Sequence, residues 1–194
     1  MSSYYEDNHQ EYFRSTVAID PTSFLEPLAD RFPIGATVLD IGCGSGRDLL
    51  WFRERGVHPT GFEESPALAR LAEDHSGCPV IVGDFSSYDF SSQSFDALVF
   101  VGSLVHQSKD RLQSILASTL LALAPGGHIL ITMKEGRGTS SATDDRQFTL
   151  WSRGELEAVF AALDLTVLEC SRMESKLRPK DVWLSFVLRA SDGR

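Results

Sequence analysis

A chain of 194 residues, 42% hydrophobic and 23% charged, is long enough to bury its own core and is composed like a globular domain. Its 27 acidic side chains outnumber 18 basic ones, and the net charge of -9 sets a repulsive long-range field against nucleic-acid phosphates. No apolar run approaches the ~20 residues that span a bilayer, the polar start MSSYYEDNHQEYFRS does not read as a signal peptide, and Cys43, Cys78 and Cys170, at no metal-like spacing, point to a reduced, cytoplasmic protein.

Taken in chain order, residues 1–35 read as a helical arm in which Tyr5, Tyr12, Phe13 and Val17 share a face. Asp20-Pro21 opens a further helix with Phe24, Leu25, Leu28 and Phe32 on its apolar side, shortened or kinked by Pro27. From residue 36 to 190 the pattern alternates. Strands are predicted at Thr37–Ile41, Pro59–Glu63, Val80–Val82, Ala97–Val101 and His128–Met133. Between them lie helices at Asp48–Arg55, after the Ser65-Pro66 cap, and at Lys109–Ala122, and Pro125-Gly126-Gly127 reads as a turn. Glu135–Gln147 is polar without an apolar period and reads as a mobile surface loop. Ser152-Arg153-Gly154-Glu155 has capping-box spacing and starts a helix through Leu156, Val159, Phe160 and Leu163. Leu165–Leu168 and Trp183–Leu188 close the chain as an antiparallel edge pair, since only a short linker without a clear helix joins them. The Arg172, Lys176, Arg178 and Lys180 group between them reads as a solvated turn rather than a nucleic-acid patch. Strands alternating with helices imply parallel pairing and right-handed crossovers, an α/β doubly wound sheet.

The most informative stretch is Val38–Asp48, VLDIGCGSGRD. Gly42, Gly44 and Gly46 follow a strand and precede a helix, the place where a doubly wound sheet binds ligands. A dinucleotide fingerprint would need its third glycine where Arg47 stands. Asp40, just before the loop, disfavours a pyrophosphate and suits an ammonium or sulfonium.

These residues resemble the first motif of class I S-adenosylmethionine-dependent methyltransferases, and the likeness continues in order. Gly61-Phe62-Glu63-Glu64-Ser65 resembles the acidic end of the second strand, and Val82-Gly83-Asp84-Phe85 resembles the adenine site. Phe95–Val101 through His106 resembles the fourth strand and its turn, and Leu123-Ala124-Pro125-Gly126-Gly127 the approach to the fifth. The Tyr-Tyr-Glu arm and Trp183-Leu184-Ser185-Phe186 are similar to small bacterial members. The resemblance implies a single Rossmann-like domain over 1–194, with seven strands in the order 3-2-1-4-5-7-6 and strand 7 antiparallel. It places S-adenosyl-L-methionine against Asp40, Gly42, Cys43, Gly44, Ser45, Gly46 and Arg47, then Glu63 and Glu64, Asp84 and Phe85, and Val101, with Tyr12 closing from the arm. In it, Glu63 holds both ribose hydroxyls, Asp84 accepts from the adenine amine, and Phe85 offers its backbone N–H.

Each assignment has a plainer counterpart. Asp40 either meets the methionine end or caps the glycine loop; Asp84 is also an ordinary turn residue. His106, near the transfer face, is either a general base or a turn histidine packed under the cofactor. Tyr5, Tyr12 and Phe13 are either a lid or arm core, and Trp151 a pocket wall or core residue. No His, Cys and carboxylate grouping suggests a metal. The expected activity is methyl transfer to an oxygen or nitrogen of a small molecule. The alternatives are an RNA or protein methyltransferase, or a cofactor-binding partner subunit without chemistry. Val101-Gly102-Ser103-Leu104, standing where an N-P-P-Y-like tetrad would be, argues against methylation of planar base or amide nitrogens. Monomer and homodimer are both compatible with the sequence.

Overall fold

A computed structural model describes residues 2–141, 146–176 and 180–191. Three short helices form the arm: α1 (Ser2–Asp7), α2 (His9–Thr16) and α3 (Thr22–Ala29). The last begins one residue after the predicted start, because Pro21 takes the cap position and the Asp20 carboxylate accepts from the Thr22 N–H at 3.0 Å. The alternating region follows as β1 (Thr37–Ile41), α4 (Arg47–Arg53), β2 (His58–Glu63), α5 (Pro66–Ser76), β3 (Val80–Val82), β4 (Phe95–Val101), α6 (Lys109–Thr119) and β5 (Leu123–Lys134). Then come β6 (Thr139–Ser141), β7 (Gln147–Thr149), α7 (Arg153–Ala162), β8 (Leu165–Glu174) and β9 (Val182–Ala190).

Period-two side-chain alternation builds the layers. On β1, β4, β5 and β9, Val38, Ala97, Val99, Leu130 and Val187 point to one face, where Leu25 and Leu28 of α3 and Trp51 and Phe52 of α4 cover them. The intervening Leu39, Leu98, Phe100, Ile129, Ile131 and Phe186 point to the other, under Leu112 and Leu116 of α6 and Leu156 and Phe160 of α7. Helices therefore sandwich the sheet, and its strands read as continuous apolar runs. Local signals hold where they are strongest. Ser65 Oγ accepts from the Leu68 N–H with Pro66 in the first turn of α5, and the Ser152–Glu155 capping box starts α7.

The sheet order is β3-β2-β1-β4-β5-β9-β8, parallel through β5, with β9 antiparallel to both neighbours. The expected order 3-2-1-4-5-7-6 is corrected in its numbering, because it omitted the separate β6–β7 hairpin. That hairpin also corrects the reading of Glu135–Gln147 as a mobile loop: Ser140 pairs with Phe148, and Phe148 is buried, an anchor lying one residue beyond the polar stretch. Residues 142–145 of that stretch, and Arg178 of the basic group, lie outside the described residues. Pro125-Gly126-Gly127 lies inside β5 rather than before it, in an irregular stretch where Phe95 pairs with Leu123, Ala97 already pairs with His128 and Gly126 has φ 70°. No helix among the described residues is long and apolar enough to cross a membrane.

Between β1 and β4 the direction of strand progression reverses. The carboxyl ends of both strands diverge there into a crevice.

Candidate functional site

The glycine loop leaves β1 at that crevice. Its first amides are tied to β2: Gly42 and Cys43 N–H both donate to the Phe62 carbonyl, at 2.7 and 3.1 Å. Gly46 caps α4 at φ 73°, and a Cβ there would stand 2.7 Å from the Ala72 carbonyl of α5. Only a residue without a side chain satisfies both demands. Gly46→Ala is expected to cost about 2 kcal/mol, lowering the melting temperature by about 4–8 °C in a scanning calorimeter. Gly44 has φ 56°, and a Cβ on it would meet the Tyr12 ring at 3.2 Å. The space in front of its backbone is therefore filled from the arm.

A cavity of about 80 Å³ remains at the crevice. Gly42, Gly44, Glu63 and Glu64 line it from the β1 and β2 ends. Phe85, Val101 and His106 line it from the β3 and β4 sides, and Tyr5 and Tyr12 from the arm. Asp40, Cys43, Ser45, Gly46, Arg47 and Asp84 stand outside this lining.

Glu63 is 7% exposed, at the end of β2. Its Oε2 accepts from the Gly44 N–H at 3.0 Å and its Oε1 from the Ser65 N–H at 3.1 Å. Burial raises its pKa, opposed by these amide bonds. The Glu64 amide acts on the carboxylate as well, and the lone pairs that remain are left for hydroxyl donors. Glu64 is exposed, with its pKa raised by partial burial and by Asp84. Asp84 spends Oδ1 on the Ser86 N–H at 2.8 Å, an Asx turn, and lies exposed at the surface.

Asp40 is 1% exposed and its Oδ2 has no hydrogen-bond partner. Burial, then the nearby Asp48 charge, holds its carboxyl well above the usual carboxylate range. Arg47 does not turn toward the crevice: Nε and Nη2 fork onto Asp48 at 2.6 and 2.9 Å, with Phe24 under the guanidinium. Cys43 is buried beside Leu49, Ala72 and Cys78, and burial pushes its thiol up.

His106 sits in a 3-10 turn after β4. Its Nδ1 is 2.7 Å from the Gln147 carbonyl, which can only accept, so Nδ1 carries the proton in the neutral ring. Nε2 is then the acceptor, and the Tyr5 hydroxyl donates to it at 2.8 Å. Phe148 lies against the imidazole with centroids 4.9 Å apart. Burial lowers the His106 pKa, with Arg146 and Lys134 adding to the effect against the Gln147 bond. In the neutral ring the Nε2 lone pair is engaged by Tyr5 at the wall of the crevice.

The arm contributes more than its aromatic spacing indicated. Tyr5 and Tyr12 pack edge to face at 5.0 Å. Glu6 Oε2 accepts from Ser65 Oγ at 2.5 Å and from the Ala67 N–H at 3.1 Å, fastening α1 to the start of α5. Phe13 instead packs on His75 of α5, with centroids 5.7 Å apart, and Trp151 is a core residue. Glu6, Gln147 and Phe148 escaped the sequence reading because only the tertiary docking brings them here. Among the described residues no group of three or more His, Cys, Asp or Glu could hold a metal.

Residues 38–127 match a family model described as a methyltransferase domain. The chain is 36% identical over 105 residues to "Probable tRNA methyltransferase 9B" of Mus musculus; the match covers 54% of this chain and 23% of that protein. It is 26% identical over 205 residues to "Methyltransferase GfsG" of Streptomyces halstedii, covering 92% of this chain and 73% of that one. Among solved structures it is similar to the Burkholderia thailandensis 1,6-didemethyltoxoflavin-N1-methyltransferase with bound 1,6-didemethyltoxoflavin and S-adenosylhomocysteine. The TM-score is 0.76 at 25% identity, over 98% of this chain and 85% of that one. The chain thus spans about a quarter of the length of the mouse relative.

Proposed function

We propose that this chain is a class I S-adenosylmethionine-dependent methyltransferase, and that it transfers a methyl group from S-adenosylmethionine to an oxygen or nitrogen nucleophile of a small molecule. The observation that carries the reading is the Glu63 carboxylate. It is buried at the rim of the crevice, is tied to the glycine-loop amide, and keeps lone pairs free for a pair of hydroxyls. The residues fit the cofactor on two further counts: a bare backbone at Gly44 that a Cβ would obstruct, and an orphaned carboxylate oxygen on Asp40 beneath the loop. Glu63 would hold the ribose, Phe85 the adenine, and the Gly42–Gly44 backbone the amino-acid end, with the Asp40 carboxyl, held toward its neutral form by burial, ionising only as a cation binds above it. Bound there, the cofactor supplies an electrophilic methyl carbon on a sulfonium.

The chain's own part is positioning, desolvation and one proton. Bringing two reactants into attack geometry is worth about 7–11 kcal/mol of the barrier. His106 Nε2 takes the proton from a neutral O–H or N–H acceptor, while the Gln147 carbonyl holds the Nδ1–H and so fixes the tautomer. Tyr5 competes for that same lone pair. The cavity of about 80 Å³ is smaller than the roughly 300–1,000 Å³ of small-ligand pockets. The arm therefore acts as a lid: Tyr5 and Tyr12 move aside to admit cofactor and acceptor, and that movement frees Nε2. Without ligands, Tyr5→Phe removes a donor that favours the neutral ring, and the His106 pKa is expected to rise. An NMR titration of the imidazole reads that shift; an unchanged pKa would separate the two groups.

The name of the mouse relative supports the competing reading, an RNA acceptor. The net charge of -9 favours the small molecule. Incubating the purified chain with labelled cofactor and, separately, a metabolite extract and bulk tRNA decides between them. Label in the metabolites is the expected result. Label in tRNA replaces the reading, and label in neither points to a binding subunit.

A further inference from the structure

At the carboxyl end of β5 a second cavity of about 520 Å³ opens, bounded by the β6–β7 hairpin, the N-terminus of α7 and the facing ends of β8 and β9. Five cations line it: Lys134, Arg137, Arg153, Arg172 and Lys180. Three are matched. Lys134 Nζ lies 2.5 Å from Asp181 Oδ2, Arg172 Nε 2.6 Å from Glu135 Oε2, and Arg153 Nε 2.7 Å from Glu157 Oε1. Arg137 and Lys180 have no acidic partner among the described residues. A chain of net charge -9 thus carries a concave surface with surplus positive charge. At physiological salt the distant acids are screened over about 8 Å, so the local sign governs what docks.

The position is as informative as the charge. Lys134 is 4% exposed and its Nζ stands 3.7 Å from the centre of the Phe148 ring, which also packs against His106 with centroids 4.9 Å apart. One aromatic side chain thus touches both a cation lining this cavity and the proposed proton acceptor. The volume suits a small ligand, and a guanidinium fork matches a carboxylate or phosphate. Two surplus cations in a bowl hold one anionic group, whereas a nucleic-acid track would need a row of them.

We propose that this cavity receives an oxyanion, a carboxylate or a phosphate, carried by the methyl acceptor. The assignment to the acceptor rests on the methyltransferase reading above; the oxyanion site itself does not. Arg137 and Lys180 are the residues that bind it, and the Lys134–Asp181 pair forms its floor.

The test titrates inorganic phosphate, and separately acetate, into the full chain and follows amide NMR signals. Saturable shifts at residues 134–137 and 180–182 are expected, and the stronger probe identifies the oxyanion. In Arg137→Glu/Lys180→Glu, two exposed positions, affinity is expected to fall about tenfold or more. No saturable shift, or shifts that survive both substitutions, overturns the site. Calorimetry with S-adenosylhomocysteine on the same two proteins keeps the questions apart: equal binding is expected, and failure in both sinks the methyltransferase reading alone. A metabolite extract split by anion exchange, then incubated with labelled cofactor, tests the link to the acceptor. Label in the retained fraction, reduced about tenfold by the double substitution, supports it. Label in the unretained fraction, or in RNA, overturns it.

Discussion

Replacing Glu63 by alanine is expected to weaken binding of both S-adenosylmethionine and S-adenosylhomocysteine by about 10- to 100-fold. Hydrogen bonds to a charged group contribute about 1.5–3 kcal/mol each. The side chain also organises its surroundings, since the Gly44 and Ser65 amides lose their acceptors with it. Both ligands carry the ribose, so both should weaken by a similar factor, and calorimetry reads this directly. Glu63→Gln keeps the shape and one oxygen, and is expected to fall between wild type and alanine. Equal affinity in all three proteins would remove Glu63 from the site. Circular dichroism on the same samples identifies any loss of fold.

Turnover should respond most to His106. His106→Ala is expected to lower kcat by about 10²-fold or more, the usual scale for a lost general base, while leaving S-adenosylhomocysteine affinity within about twofold. The pH dependence carries a sign. The neutral ring is the active form, and burial lowers its pKa below the ordinary value of 6.5. The acid limb of kcat/KM should therefore lie on the low side of 6.5, with activity rising as pH increases through it. Substituting His106 by Gln keeps a hydrogen-bonding side chain without a base, and should stay as slow as Ala. A wild-type rate in both variants makes His106 a packing residue for Phe148 and Tyr5.

Much of the scaffold was legible because its signals are local and periodic. Thr37–Ile41 is apolar and bounded by the glycine loop; Ser65-Pro66 and Ser152–Glu155 carry their caps within a few residues; Leu39 and Val38 declare opposite faces by alternation. What stayed hidden depends on contacts between distant segments. The β6–β7 hairpin forms in a polar stretch whose only large apolar anchor, Phe148, lies beyond its end. Nothing around Pro125 tells that β5 already starts at Leu123, because that depends on the pairing of Leu123 with Phe95. Glu6 reaches Ser65 and Ala67 across 59 and 61 residues, and a charged residue on a short helix has no period to betray its partner. Arg47 follows the loop directly, and its ion pair with the neighbouring Asp48 is a matter of side-chain geometry that adjacency does not give.

The arm gives the account a thermodynamic cost that can be measured. Tyr5, Tyr12 and Glu6 all fasten it against the crevice, the contacts that the proposed lid would have to break. The apparent affinity for cofactor is reduced by the fraction of molecules with the arm aside. Substitutions that loosen the arm without touching the crevice, Glu6→Ala first, should tighten S-adenosylhomocysteine binding or leave it unchanged, not weaken it.

The most direct measurement is a crystal structure of the chain grown with excess S-adenosylhomocysteine. The nucleoside is expected in the crevice between β1 and β4, its ribose hydroxyls within hydrogen-bond distance of Glu63, and the Tyr12 ring withdrawn from Gly44. A Tyr12 ring still seated on Gly44, with the compound elsewhere or unbound, would contradict that placement.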